Sequence, residues 1–323
     1  MLLRYAARRV LASVPVLLGV TVITFLILRL TSGGFVPGLE LNPQLRAEDV
    51  ARIRHNLGLD APLYLQYLTW LAGLLHGDLG RSLTDGQPVL DHILDRLPNT
   101  LELTSTAVLL AVLIAIPLGV AGALRRGSLI DHVTTAVSVT GVAVPAFWLG
   151  LLMILLFSVS FHAWGLPWLP SGGQQSTVGG GDPLDLVVHL LLPATVLSFV
   201  YLSVWSRFVR SSTLEVLSQD YMRTAHAKGM NNRRALYVHA LRNSIVPLVT
   251  LIGLELPGVL AGGLVVETVF SWPGVGLLTY ESAKSYDFTM VMGATTFVAL
   301  AVVVGNLLAD LLYAMLDPRI RYS

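Results

Sequence analysis

Six apolar stretches, each free or nearly free of charge, punctuate this chain at approximately 10–30, 101–124, 133–160, 186–206, 244–267 and 288–312. A helix needs about 20 residues to cross the hydrocarbon of a bilayer, and every stretch meets that length. The pattern predicts six transmembrane helices. Pro15, Pro117, Pro145, Pro193, Pro247 and Pro257 fall inside them, which spanning helices tolerate when neighbours satisfy the freed carbonyls. The first stretch follows Arg4, Arg8 and Arg9 and runs uncharged from Val10 to Leu28. That exceeds a signal-peptide core of roughly 7–15 residues, and no small-x-small cleavage site follows. A retained first transmembrane helix, 1–30, is expected.

The pattern changes in 31–98, the largest segment between spans. Val50, Ile53 and Leu57 recur at helical spacing among charged residues, which predicts a short amphipathic helix. Pro62 to Leu75, bounded by Asp60 and Asp78, is apolar but too short to span. It is expected to lie at the interface, with Tyr64, Tyr67 and Trp70 at headgroup depth. The glycine-rich stretch from Ser171 to Gly181 reads as a flexible external loop. No internal repeat is present. The expected architecture is an all-α polytopic membrane protein: the first helix, an external 31–98 segment, and a core domain over 99–323 with a polar loop at 207–243.

Composition narrows the class. Charged residues make up 13% of the chain and hydrophobic residues 54%, whereas soluble domains carry roughly 25% charged residues. The net charge of +1 implies no nucleic-acid partner. The absence of cysteine removes disulfides, thiol nucleophiles and thiolate metal sites. Fourteen of the 21 lysines and arginines gather at the N-terminus, at Arg125 and Arg126, between Arg207 and Arg242, and at Arg319 and Arg321. The positive-inside rule therefore predicts that both termini and the 207–243 loop are cytoplasmic. Arg29, at the outer end of the first span, is expected to snorkel.

The polar island from Asp220 to Pro247 divides into helical pieces. Leu214, Leu217 and Tyr221 step by three and four, and Ala225 and Ala227 follow. Gly229 then breaks the helix, and Asn231-Asn232 caps a second piece from Arg233 to Asn243. A short helix ending in a glycine turn suits a groove on a soluble partner. The alternative is a solvated basic loop that satisfies the positive-inside rule.

The island resembles the EAA loop of ABC-importer permeases, Glu-Ala-Ala-x3-Gly-x9-Ile-x-Leu-Pro. Ala225, Gly229 and Leu241 match it; Arg223, Thr224, His239 and Arg242 replace the other positions. Tyr-x-Arg-Thr-Ala-x-Ala-Lys-Gly followed by His-Ala-Leu-Arg-Asn is similar to the variant in dipeptide, oligopeptide and nickel permeases. So are Leu57-Gly-Leu-Asp-x-Pro-Leu-Tyr-x-Gln-Tyr, Gly77-Asp-Leu-Gly-Arg-Ser, Val266-Glu-Thr-Val-Phe-Ser-Trp-Pro-Gly-Val-Gly and Asp310-Leu-Leu-Tyr-Ala-x-Leu-Asp-Pro-Arg-Ile-Arg. One departure is Thr31-Ser-Gly-Gly-Phe-Val-Pro-Gly, where the family usually shows Pro-Gly-Asp-Pro.

The resemblance implies a type I importer permease fold. It also implies a second, homologous permease subunit, two ABC ATPase subunits that bind the ATP, an external solute-binding protein, and a bacterial or archaeal plasma membrane. A coupling helix at about 212–229 would seat on an ATPase, with Tyr221, Arg223, Thr224, Ala225, Ala227, Lys228 and Gly229 as docking residues. Di- or oligopeptides are the expected cargo, with nickel or another small solute as the alternative.

The chain's own chemistry agrees with an external power source. Its two lysines, Lys228 and Lys284, each follow alanine, so neither completes a Gly-x4-Gly-Lys-Ser/Thr phosphate loop. There is no His-Glu-x2-His and no Gly-x-Ser-x-Gly elbow, so no catalysis, resident metal or cofactor is expected. Acids inside spans are functional candidates by default. Glu255 either lines the pathway or makes an interhelical hydrogen bond. Asp310 either serves the pathway or holds the last helix to a neighbour, and Glu267 serves either a gate or a cap-and-turn. Proton-coupled transport through Glu255 or Asp310 is the rival function. Glu102, three residues after Asn99, reads as a capping box that starts the second helix.

Overall fold

The computed structural model describes residues 2–32, 46, 48, 52, 55, 60–176, 179–231, 241, 243–245, 248, 251–253 and 263–316. Among them the chain forms helices and turns without a β-strand: α1 (Leu2–Ser32), α2 (Leu63–Leu75), α3 (Val89–Leu124), α4 (Leu129–Ala143), α5 (Ala146–Ala163), α6 (Pro183–Ser218), α7 (Asp220–Ala227), α8 (Leu264–Val269), α9 (Val275–Lys284) and α10 (Phe288–Leu316). Within the described residues α1, α3, α5, α6 and α10 are long and apolar enough to cross a membrane. The helix expected around Val50–Leu57, the second piece of the polar island and most of the 244–267 stretch, Glu255 included, lie outside the described residues. The chain forms two compact units, Met1–Thr100 with Pro273–Ser323, and Leu101–Trp272.

In the first unit α1 packs along α10. Arg9 Nη1 meets Asp310 Oδ2 at 3.1 Å, so the start of α1 lies beside the end of α10 and the two run antiparallel. α2 leans on α1: Tyr67 and Thr21 share a hydroxyl hydrogen bond of 2.9 Å, and the Tyr67 ring meets the edge of Phe25 at 5.5 Å. Thr21 stands nine residues before Leu30, about 13 Å along the helix at 1.5 Å per residue. Tyr67 therefore docks well inside the length of α1.

A buried core of Leu79, Val89, Ile93, Val275, Leu278, Met290 and Ala294 joins the start of α3 to α9 and α10. Asp287 ties this end together from just before α10. Its Oδ1 accepts the Met290 N–H at 3.0 Å, capping the helix. Its Oδ2 accepts the Ser82 hydroxyl at 2.5 Å and the Leu83 N–H at 3.0 Å.

The expected start of the second span at an Asn99–Glu102 capping box is not what forms. α3 begins at Val89, because Val89, Ile93 and Leu97 continue its apolar face toward this core. Asn99 donates to the Pro273 carbonyl instead, at 2.8 Å.

In the second unit the stretch expected as one span over 133–160 is two helices. Val144 is extended (φ −90°, ψ 122°) and Pro145 follows before α5 begins. Proline removes a helical N–H and pushes the preceding residue out of the α region. α5 then winds as π-helix over Ile154–Ser160, with the Phe157 carbonyl accepting Leu169 N–H at 3.0 Å.

α6 extends beyond its expected 186–206 at both ends, capped at its start by Asp182, whose carboxylate accepts the Asp185 N–H at 2.6 Å. α4 approaches it closely at Gly141, where a Cβ would fall 2.6 Å from Ser203 Cβ. The Ser171–Gly181 stretch is tied down rather than loose in its described part. Gly173 N–H donates to the Phe270 carbonyl at 2.8 Å, Gln174 to Glu102 at 3.0 Å, and Ser176 twice to Asp185 at 2.8 and 2.7 Å.

Candidate functional site

The first part of the polar island is the end of α6. Gln219 then leaves the helix in an extended conformation (φ −71°, ψ 149°), and Asp220 opens the eight-residue α7. The single helix expected at about 212–229 is therefore broken at Gln219. An acid in the first turn favours a helix start, and the Asp220 carbonyl accepts the Thr224 hydroxyl at 3.0 Å. The break shifts the helical phase. Counting continuously from Leu214 and Leu217 points Tyr221 inward, but Met222 is the buried residue, 2% exposed, packed on Val216, Leu217 and Met230.

The docking candidates with described side chains are exposed. Tyr221 is 41% exposed, and its hydroxyl accepts Asn243 Nδ2 at 3.2 Å. Arg223 is exposed with a loose 3.4 Å contact to Asp220. Thr224, Ala227, Lys228 and Gly229 are exposed as well. Ala225 lies on α7, its side chain outside the described residues. Gly229 takes φ +81°, and a Cβ there would meet nothing, so glycine is needed for the left-handed turn and not for space within this chain. The result is a short helix pinned by one methionine and presenting tyrosine, two cations and small residues.

The intramembrane acids separate in kind. Asp310 is engaged by Arg9, which joins the first helix to the last. Glu267 is fully buried. Its carbonyl accepts the Trp272 N–H at 2.8 Å and its N–H donates to the Gly263 carbonyl at 2.7 Å, so its backbone shapes the turn that carries the buried Phe270 and Trp272.

Sequence reasoning passed over Asp131 and Arg210. Arg210 Nε donates to Asp131 Oδ1 at 2.5 Å and Nη2 to Oδ2 at 3.1 Å. The Gly127 N–H adds a third hydrogen bond at 2.9 Å. Asp131 stands ahead of the apolar part of α4, and the Arg210 hydrogen bonds hold its carboxyl at about 2, below the ordinary 3.8.

The family described as "Binding-protein-dependent transport system inner membrane component" matches residues 115–322, and the N-terminal part of such membrane components matches residues 2–104. The chain belongs to this family. It is 42% identical over 319 residues to the oligopeptide transport system permease protein AppB of Bacillus subtilis, covering 98% of this chain and 99% of that one. It is 40% identical to the di/tripeptide transport system permease protein DppB of Pseudomonas aeruginosa and 37% identical to the dipeptide transport system permease protein DppB of Escherichia coli, in both cases over the full length of each chain. Membership and the long apolar helices make this chain a multi-pass inner-membrane transport component.

Proposed function

We propose that this permease forms half of the translocation pathway for di- or oligopeptides in an ATP-driven importer. It would work beside a second, homologous permease subunit, with two ATPases on the cytoplasmic side and a solute-binding protein outside. The observation that carries the reading is α7, a small, exposed, polar helix at the end of a 36-residue helix that begins in an apolar stretch. ATP hydrolysis belongs to the partners, and α7 with the Gly229 turn is the part of this chain that they grip. Full-length similarity to peptide permeases supports the cargo.

Topology supports a cytoplasmic α7. Because Arg9 pairs with Asp310, the start of α1 and the end of α10 share one side, which requires an even number of crossings. Five candidate spans lie among the described residues, and four of them precede α7 in the chain. The arginine-rich ends favour the cytoplasmic side for both termini by the positive-inside rule.

The test is reconstitution. Coexpressed with its partner permease and ATPases, the chain is expected to copurify with them and to import peptide only with ATP and the binding protein. Gly229→Asp or Ala225→Glu is expected to remove the ATPases while leaving the permease pair. Peptide uptake by this chain alone without ATP would refute the proposal.

A further inference from the structure

Arg210 stands two turns before the end of α6, where three helices converge. Its guanidinium grips Asp131 in the first turn of α4 with two hydrogen bonds. Its aliphatic stem crosses Gly122 of α3, where a Cβ would fall 3.6 Å from Arg210 Cδ. One turn along α4, Thr134 donates to the Leu118 carbonyl of α3 at 3.3 Å and to its own Ile130 carbonyl at 2.8 Å. The ion pair thus fastens α4 to α6, with α3 packed against the join at Gly122.

The rest of the α4–α6 seam is held without charge, by close packing of Gly141 on Ser203 and by hydroxyl contacts. Ser138 meets Ser206 at 3.2 Å, and Ser203 donates to the Val137 carbonyl at 3.3 Å. Each of these hydroxyls is also satisfied within its own helix, Ser138 by Thr134 and Ser203 by Phe199. Neutral contacts that duplicate an internal bond do little to fix one helix against another. A bidentate guanidinium–carboxylate pair is stronger and fixes orientation. Beyond Arg210, α6 continues to Ser218 and hands over to α7 through Gln219. At the other end, α4 stops at the Val144–Pro145 break.

We propose that the Arg210–Asp131 pair makes α4 and α6 move as one body, so that displacement of α7 reaches the Val144–Pro145 break. Arg210 and Asp131 are then positioning residues for coupling; neither touches the ATPase or the cargo. The inference rests on the reading of α7 as the ATPase-docking helix.

The assay is the number of ATP molecules hydrolysed per peptide imported by the reconstituted importer. Asp131→Asn and Arg210→Gln are expected to keep the ATPases bound yet raise that ratio by about 5-fold or more, the lower end of ordinary coupling effects. The exchange Asp131→Arg with Arg210→Asp is expected to restore it. Because the chain has no cysteine, Ser138→Cys with Ser206→Cys can lock the same two helices. Oxidation of that pair in the Asp131→Asn background is expected to restore the ratio as well, which an improvement in folding alone would not do selectively on oxidation. Uptake and hydrolysis that fall together at a constant ratio, or a ratio that the lock leaves raised, would overturn the inference. If the unsubstituted chain binds no ATPase, the reading of α7 fails and takes this one with it. Binding with an unchanged ratio in Asp131→Asn overturns this inference alone.

Discussion

Replacing Asp287 with alanine should be among the most damaging single changes in the first unit, although no apolar contact is lost. Asp287 is 2% exposed and works from both oxygens. Oδ1 caps α10 through Met290 N–H, and loss of a cap costs about 0.5–2 kcal/mol. Oδ2 receives the Ser82 hydroxyl and the Leu83 N–H, and a buried donor left without an acceptor costs about 1–3 kcal/mol. Water entering the vacated space recovers part of this, so a net loss of about 2–4 kcal/mol is expected.

Ser82→Ala removes the shared hydrogen bond and the two that the Ser82 oxygen accepts from the Thr84 and Asp85 N–H groups, and should cost about 1–3 kcal/mol. The double variant should then be less destabilised than the sum of the two, because the Ser82–Asp287 bond is counted in both single changes. Denaturant unfolding of the purified permease in detergent, run as a complete cycle, measures all three. Strictly additive losses, or an Asp287→Ala variant within about 0.5 kcal/mol of the parent, as for ordinary surface substitutions, would show that Asp287 does not hold the loop to α10.

Four further outcomes are expected. Gly229→Ala forces a side chain into the left-handed region at a cost of about 1–2 kcal/mol, so in a binding titration it should weaken ATPase association about 5–30-fold without unfolding the permease. Gly141→Ala drives a methyl into Ser203 and should lower stability by about 1–3 kcal/mol, read by thermal unfolding in detergent. Leu68→Cys on α2, in a chain without cysteine, should resist a membrane-impermeant maleimide in intact vesicles while Gly77→Cys reacts; equal labelling would place α2 outside the lipid. Asp131 titrates at about 2 in the fold against 3.8 ordinarily. Its depressed value stabilises the fold fully above the ordinary value and is lost as pH falls through about 2, so acid unfolding between about pH 4 and 2 should be shallower in Asp131→Asn.

The apolar runs located the long helices because hydrophobic thickness is a length requirement that a sequence states openly. They located ends poorly. α3 starts at Val89 and α6 runs on to Ser218, because the helix continues wherever one face still finds a core, even after the lipid-facing residues have given way to charges. The 133–160 run looked continuous because Val144 and Pro145 are as apolar as their neighbours. The proline was visible, but elsewhere, as at Pro193 within α6, the same residue is absorbed without a break, and tertiary contacts decide between the two outcomes. Glycines between Ser171 and Gly181 suggested looseness, yet Asp185 just beyond the loop, and Glu102 and the Phe270 carbonyl far away in sequence, supply the partners that hold it.

In the candidate site, charge and glycine spacing drew attention to the polar segment that holds α7, since a polar helix between apolar runs must meet water or a partner. The buried Met222 was missed because a one-residue break at Gln219 resets the helical phase, and no side chain announces such a break. Arg210 was missed for another reason. In a sequence it is one of many arginines on the inward side and serves only as a vote for topology. Its separation from Asp131 by 79 positions gives no local signal, and the glycine that admits its stem, Gly122, lies on a third helix. Only the fold makes the three a unit. A charge near a membrane-helix end therefore carries two distinct kinds of information, the side on which it lies and the helix to which it is fastened, and motion from α7 depends on the second.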